Sequence, residues 1–246
     1  MIRAFRCDLH VHTCLSPCAG LDMYPTAVVA RAVAEKLDVI AVCDHNASEN
    51  APHVIRAARG RDLAVLPGME VASREEVHLL ALFDKMDGLQ RLQEIVYAHL
   101  PGANDENRFG CQAIVNELDE VEGFNERLLI GATELPLADL VCHIHDFGGL
   151  AVASHIDRES FSVISQLGFI DPEVPFDALE ISGRIGLARA RGHYPELSGY
   201  AFLTSSDAHR REEIGRVFTE FLIESPSVCE LKMAFSGLMG RGITDH

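Results

Sequence analysis

Five separate apolar runs in this chain stop on a histidine, an aspartate or a glutamate, and that coincidence limits the fold more than any other feature. The first run, over 4–11, leads through Asp8 and His10 to His12. VIAVC is followed by Asp44, His45 and Asn46; LAVLPG leads to Glu70, GGLAVAS to His155, and AFLTSS to Asp207 and His209. Residues two apart on a strand point to the same side, so His10 and His12 aim at one place. Two imidazoles converging at the carboxyl end of a strand make half of a divalent-metal site. In a parallel α/β barrel all such ends share one face, where active sites are built. A lone His-x-His pair is as readily a surface pair, but five coincident placements favour a metal centre over a solvated polar rim.

Short β-rich runs over 4–11, 38–43, 63–66, 77–83, 150–154, 178–181, 201–204 and 217–223 alternate with helical patterns. Over 26–36, Val28, Val29, Ala32 and Val33 recur at helical intervals behind Pro25, which suits a first turn; over 89–100, Leu92, Ile95, Val96 and Leu100 do the same. This alternation predicts βαβ units and a parallel sheet closed or covered on both faces. At 246 residues the chain fits one α/β barrel domain over 1–246. No linker or fixed-period repeat divides it, and the least regular stretch, 101–137, is expected to be an insertion or lid.

With 48% hydrophobic and 24% charged residues, disorder and collagen-like repeats are excluded. No apolar run reaches the roughly 18 residues that span a bilayer, and the first ten residues hold no secretory segment. The seven cysteines, odd in number and scattered, read as reduced thiols. A cytoplasmic chain with no membrane contact and no obligate protein partner is expected. The formal charge of −16, from 21 basic and 37 acidic residues, opposes phosphate backbones, so long nucleic acid is expected not to be a substrate. Bound divalent cations would reverse that sign locally.

His78 begins its run instead of ending it. If the preceding strand continues through 69–71 and turns about Arg74, Glu70 stands opposite His78 with Cβ atoms about 5 Å apart. Glu70 would then bridge two cations and His78 would ligate one; a solvent-facing cross-strand pair is the alternative.

Taken in order, DLHVHT, CDHN, PGME, HLLAL, ASHID and SSDAH, over about 7–210, resemble the PHP family, named for its polymerase and histidinol phosphatase members. The resemblance implies a distorted (β/α)7 TIM-like barrel holding two or three divalent metals (zinc, iron or manganese) at the carboxyl ends of its strands. It implies that His10, His12, Glu70 and Asp207 hold one metal, Glu70, His78 and His155 a second, and His45 and His209 a third. Asp8 and Asp44 would stand behind, orienting imidazoles through the other ring nitrogen. Many members place His or Asp shortly after the His-x-His pair; here the loop reads Ser16-Pro17-Cys18, which aligns Cys18 with that ligand. A thiolate would favour zinc or iron over manganese. Otherwise Cys18 is a small buried residue, and Cys14 is a competing thiol.

The implied activity is hydrolysis of a phosphate ester of a small metabolite or short nucleotide by a metal-activated hydroxide, with His10, His12, Glu70, Asp207 and His209 as the catalytic set. His209 or His155 would protonate the leaving oxygen. Arg158 and Arg184, just past strand ends, are candidate phosphate grips, and Asn46 a third substrate contact; each Arg is otherwise a surface ion pair. An amidohydrolase-like hydrolase is disfavoured because none of Lys36, Lys85 and Lys232 follows a strand as Glu70 does. A metal-stabilised, non-catalytic interaction module is disfavoured because every presumed ligand position except that of Cys18 carries a usual metal-binding residue. His143 and His145 lie two apart in a helical stretch and cannot chelate, and His53, His99, His193 and His246 read as surface or packing residues.

Overall fold

The structure, a computed structural model, describes residues 1–244, so His246 lies outside the described residues. Strand β1 (Arg3–Val11) is exposed where it starts and buried from Cys7 onward, which encloses the end carrying His10. Helix α1 (Pro25–Ala34) begins on its proline and buries Val28, Val29 and Ala32. β2 (Val39–Val42), α2 (Ala51–Ala57), β3 (Ala64–Ala72), β4 (His78–Leu82) and α3 (Met86–Ala98) follow. A side module holds α4 (Glu106–Phe109) and the hairpin of β5 (Ala113–Val115) and β6 (Val121–Phe124). The chain continues through α5 (Leu137–Asp146), β7 (Leu150–Ala153), α6 (Val163–Leu167), β8 (Ala178–Ile181), α7 (Leu187–His193) and β9 (Phe202–Thr204), then β10 (Thr219–Ile223), α8 (Val228–Phe235) and β11 (Gly242–Thr244).

One sheet runs β11-β10-β1-β2-β3-β4-β7-β8-β9. β1–β2–β3 and β7–β8–β9 pair in parallel, whereas β4 runs against both of its neighbours and β10 against β1. The result is a nearly closed α/β barrel distorted by a reversed strand. Its seam is stitched just past β9: the His12 N–H donates to the Ala208 carbonyl at 3.0 Å and the Ala208 N–H to the His10 carbonyl at 3.3 Å. That stitch lays Asp207 and His209 against the His10–His12 end of β1, two hundred residues away in sequence.

Alternation along the strands sorts apolar side chains into two layers. Leu9, Ala41, Leu66, Leu80, Val152, Ala178 and Leu203 join one cluster with Phe221 and with Leu231 of α8. A single cluster drawing on β1 to β4 and β7 to β10 is the enclosed side, and α8 plugs its lower end. Ile40, Met69, Leu79, Ala151 and Leu179 pack outward against α1, α2, α3 and α5. Each such fully buried Val, Leu, Ile, Phe or Met side chain contributes about 1.5–3 kcal/mol. Glu70 and Glu180 continue the enclosed rows of Leu66 and Ala178, so the alternation that fills the lower half aims two carboxylates into the upper half. Gly68, between Leu66 and Glu70, permits this: a Cβ there would lie 2.8 Å from Cys43 Sγ and 3.1 Å from the Ala81 carbonyl oxygen.

The β3–β4 hairpin turns one residue later than the sequence predicts. His78 pairs with Ala72 and Glu70 with Leu80. Because the side-chain period is two, this offset keeps Glu70 and His78 on one face as diagonal neighbours.

The 101–137 segment is folded and tied down. Asn50 donates to the Ala113 carbonyl at 3.1 Å and accepts from the Val115 N–H at 3.0 Å. Gln112 and Leu129 are wholly buried, and Ile130 is the part of the segment that reaches the central cavity. The segment braces the loops around Thr13 and Asn46.

Candidate metal centre

Glu70 is the hub. Its Oε1 lies 3.0 Å from His78 Nδ1, 3.2 Å from His155 Nε2 and 3.4 Å from His10 Nε2, and its Oε2 lies 3.1 Å from His45 Nδ1 and 3.5 Å from His12 Nε2. Asp207 Oδ1 stands 3.1 Å from His12 Nε2 and 3.2 Å from His10 Nε2. Three overlapping groups result, each with its ligand atoms within 4.8 Å of one another: His10, His12, Glu70 and Asp207; His45, Glu70 and His78; His12, His45 and His209. Strand ends position most of these side chains. His155 and Asp207 hold left-handed backbone, at φ 29° and 49°, a conformation that persists only where the surroundings impose it.

Hydrogen bonds behind the imidazoles settle where the lone pairs point. His10 Nδ1 donates to the Glu180 carboxylate at 3.0 and 3.2 Å. Ser16 Oγ donates to Asp44 at 2.6 Å and accepts from His12 Nδ1 at 2.9 Å. His209 Nδ1 donates to the Asp207 carbonyl at 2.9 Å. With those protons committed, the Nε2 atoms of His10, His12 and His209 are bare acceptors. His10 and His12 Nε2 nonetheless face each other at 3.1 Å, among carboxylate oxygens. A buried cluster of acceptors with no donor between them is the surrounding a cation requires, and imidazole with carboxylate suits zinc, iron or manganese.

The titration directions agree. Burial above all, then the neighbouring His209, pushes His12 down to about 3, and burial likewise lowers His45, so both imidazoles are neutral donors of electron pairs. Against burial, the neighbouring histidines, His10 among them, hold Glu70 and Asp207 well below the usual carboxylate range. Burial lowers His10, but Glu180, Asp207 and Glu70 outweigh it and raise the imidazole.

Several expectations change. Asn46 is not placed to contact a substrate: it is wholly buried, its amide nitrogen donates to the Leu129 and Gly131 carbonyls at 2.8 Å each, and its oxygen accepts from the Ala72 N–H at 3.0 Å. Asp8 touches no imidazole in the described hydrogen bonds. Its oxygens accept from the Ser206 and Gly215 N–H groups at 2.9 Å each, fixing the segments that flank Asp207 and His209. Burial lifts its carboxyl to about 6. Asp44 reaches His12 through Ser16 and not directly. Cys18 stands exposed outside the three groups, and His12 takes the third place beside His45 and His209. Loss of hydration around the Cys18 thiol, then Glu70 and Asp207, push it up to about 12. Cys14 is buried against the Ala113 carbonyl, and burial drives its thiol to about 12 as well.

Two residues escaped the sequence reading. Glu180 is buried, holds His10, and accepts the His155 backbone N–H at 3.1 Å. A signal was present, since a charged residue interrupts the apolar run ALEI. Ser16 carried none.

A cavity of about 200 Å³ opens beside Glu70, His45, His78, His155, Asp207 and His209. Phe161, stacked on His78 at 4.7 Å, and Ile130 form its apolar wall. Arg158 borders it with Nη2 2.6 Å from Asp207 Oδ2 and its buried Nε without a partner among the described residues. Arg184 is exposed and lines a neighbouring cavity. His143 and His145 lie on α5, where His145 bonds Asp177 at 2.8 Å, outside the centre. Among the described residues no helix is long and apolar enough to cross a membrane.

Comparison with known proteins places this geometry. The family model of the PHP domain matches residues 8–166, and that of a PHP-associated segment matches 194–235. The uncharacterized protein YqxK of Bacillus subtilis is 32% identical over 106 residues, 41% of this chain and 27% of that protein. Endonuclease Q of Pyrococcus furiosus, described as lesion-specific, superposes with a TM-score of 0.77 at 16% identity, covering 98% of this chain and 58% of that one. An endonuclease Q complexed with a 27-mer duplex, an abasic lesion at its active site, gives 0.72 at 17% identity over the same shares. A protein of Bifidobacterium adolescentis assigned as a metal-dependent phosphoesterase gives 0.57 at 17% identity, covering 86% and 91%. The chain thus spans little more than half of the endonuclease and about a quarter of YqxK. These likenesses show the fold, and the duplex complex overturns the expected exclusion of long nucleic acid. Net charge sums over a whole surface, whereas a backbone is met locally, so −16 does not exclude a duplex on this fold.

Proposed function

The chain belongs to the PHP family, and from that premise we propose that it is a metal-dependent hydrolase of phosphate esters. The observation that carries this is Glu70, whose two oxygens serve two of the three converging groups while ring nitrogens of five histidines face it. His10, His12, Glu70 and Asp207 would hold one divalent ion, Glu70 with His45, His78 and His155 a second, and His12, His45 and His209 a third. Zinc, iron and manganese all suit these donors. Such ions, when bound, lower the pKa of a coordinated water and neutralise phosphate oxygens.

The chain's own residues do the rest. Glu180 and the Asp44–Ser16 pair fix the His10 and His12 tautomers. Arg158, at the lip of the cavity, is placed to grip a phosphate oxygen with the guanidinium edge that Asp207 does not use. Phe161 and Ile130 exclude water on the apolar side. His209, the most exposed imidazole of the set, lines the cavity. The cavity accommodates a phosphoryl group and its first bonded atoms, leaving the remainder of the substrate outside; a small phosphorylated metabolite and the end of a nucleotide strand both satisfy it. The seven unpaired cysteines suit a reducing compartment such as the cytoplasm.

The test is elemental analysis of purified protein, followed by hydrolysis of p-nitrophenyl phosphate and bis-p-nitrophenyl phosphate with and without chelator. Bound metal and chelator-sensitive turnover are expected. Chelator-insensitive hydrolysis would overturn the mechanism, and metal without turnover of any phosphoester would favour a binding module.

A further inference from the structure

The cavity next to the metal centre is larger, about 530 Å³, and shares Arg158, Asp207 and His209 with it. We propose that this second cavity is a subsite for another phosphate group of the substrate, held by Arg184 and Arg216. The proposal rests on the phosphoesterase reading above and extends it to a substrate class: esters bearing two phosphates.

Three loops, each following a barrel strand or its continuation, contribute one arginine apiece. They are pinned to one another. Asp157, beside Arg158, accepts from the Ser182 backbone N–H at 2.7 Å and from the Ser182 hydroxyl, joining the loops after β7 and β8. A Cβ on Gly183 would lie 2.5 Å from Val217 Cγ2, so the glycine lets the Arg184 loop press directly on the Arg216 loop. Asp8 accepts N–H groups from both Ser206 and Gly215, fixing the wall behind Arg216. The arginines therefore sit on a braced frame, which lowers the entropy lost when they grip a ligand.

The charge balance favours an anion. Among the described residues neither the Arg184 nor the Arg216 guanidinium has a hydrogen-bond or ion-pair partner, although both are exposed in a chain of net charge −16. The acidic residues that share this lining are already committed. Asp207 serves His10, His12 and Arg158. Glu213 accepts the His209 and Arg210 N–H groups at 2.9 and 3.1 Å. Two guanidiniums without partners on such a frame match a phosphate dianion, which takes paired N–H donors from each.

The experiment compares kcat/KM for propyl phosphate with that for alkanediol bisphosphates of increasing chain length, and for thymidine 5′-phosphate with that for 5′-phosphorylated oligothymidylates, in metal-loaded protein. The second phosphate is expected to raise kcat/KM about ten- to hundredfold at its best spacing, chiefly through KM. In Arg184→Ala and Arg216→Ala the ratio should fall towards one, with part of it restored in Arg184→Lys. A gain in the alkanediol series identifies a free bisphosphate as the ligand, and a gain confined to the oligothymidylates identifies a neighbouring strand phosphate; either supports the subsite. A ratio of one in wild type for both series overturns it, as does a ratio that survives both alanine substitutions. Calorimetric binding of the bisphosphates separates the two readings: absence of turnover with arginine-dependent binding counts against the hydrolase alone, whereas binding indifferent to both arginines removes the subsite.

Discussion

The two ends of the barrel interior are built from the same strands and do opposite things. At the lower end Phe5, Leu9, Leu66, Leu82, Leu150 and Phe221 meet α8 in an apolar plug. At the upper end the continuations of the β3 and β8 rows deliver Glu70 and Glu180, and β1, whose register against β2 shifts between Asp8 and Val11, brings in His10, with acceptors crowded against acceptors. The lower end lowers free energy through burial; the upper end concentrates unmatched electron pairs and left-handed backbone, which cost stability until a cation arrives. Along β3 and β8 one period of two serves both, so a substitution's effect there should depend on its height in the barrel more than on its chemistry.

The largest effect that sharpens this contrast is at the hub. Glu70→Gln keeps the size and removes the charge that several imidazoles share. Hydrolysis should fall at least about a thousandfold, more than the 10- to 100-fold lost with an outer partner of a ligand, and the bound-metal count should fall with it. The circular dichroism spectrum should be unchanged. A variant that keeps both metal and turnover would break the assignment of Glu70 as the shared ligand.

Phe221→Ala is the matched substitution below. Phe221 is fully buried and packs edge-on against Phe235 at 5.8 Å. Truncation should destabilise the protein by about 4 kcal/mol in urea unfolding, with metal content and turnover per folded molecule retained. Loss of turnover in molecules that remain folded would show that the two ends are mechanically coupled.

How much of this was legible follows the same division. The apolar runs, their order and the polar residues ending them were readable because alternation and strand ends leave marks within a few residues. The β3–β4 register was not, since a one-residue move of the turn preserves the face and so leaves the pattern unchanged. Asn46 followed a strand end as a ligand would, yet its partners are carbonyls more than eighty residues away, which no local pattern reports. Glu180 was visible only as a charge in an apolar strand; its partner His10 is 170 residues distant.

Glu180 also marks the boundary between the ends, one alternation above Ala178 of the plug. In Glu180→Gln one oxygen remains to accept from His10 Nδ1 or the His155 N–H, and the charge that fixes the His10 tautomer is gone. Metal affinity, read by competition with a chromogenic chelator, should fall about ten- to hundredfold, with partial rescue in Glu180→Asp. Unchanged affinity accompanied by a stability loss comparable to that of Phe221→Ala would move Glu180 into the lower region.

The smallest effect isolates what distinguishes a structural carboxylate from a site carboxylate. Asp177, at the lower end before β8, accepts from the Ala151 N–H at 2.9 Å, His145 Nε2 at 2.8 Å and Lys232 Nζ at 3.1 Å. Although burial opposes it, His145, the Ala151 N–H and Lys232 lower its pKa. Asp207 is lowered too, yet bare imidazole nitrogens stand among its neighbours, whereas every neighbour Asp177 bonds is a donor. Asp177 therefore needs no further ligand, and Asp177→Asn should cost about 1–2 kcal/mol at neutral pH, a range that allows for its partly exposed partners. A depressed carboxylate stabilises the fold above its unfolded pKa and ceases to do so as pH falls through the folded value. The difference between wild type and Asp177→Asn should thus hold at pH 7 and shrink below the ordinary carboxylate range near 4, as read by unfolding midpoints across pH, while metal content stays constant at pH 7. A difference that grows on acidification, or a loss of metal at neutral pH, would show that the lower end also answers to the cation.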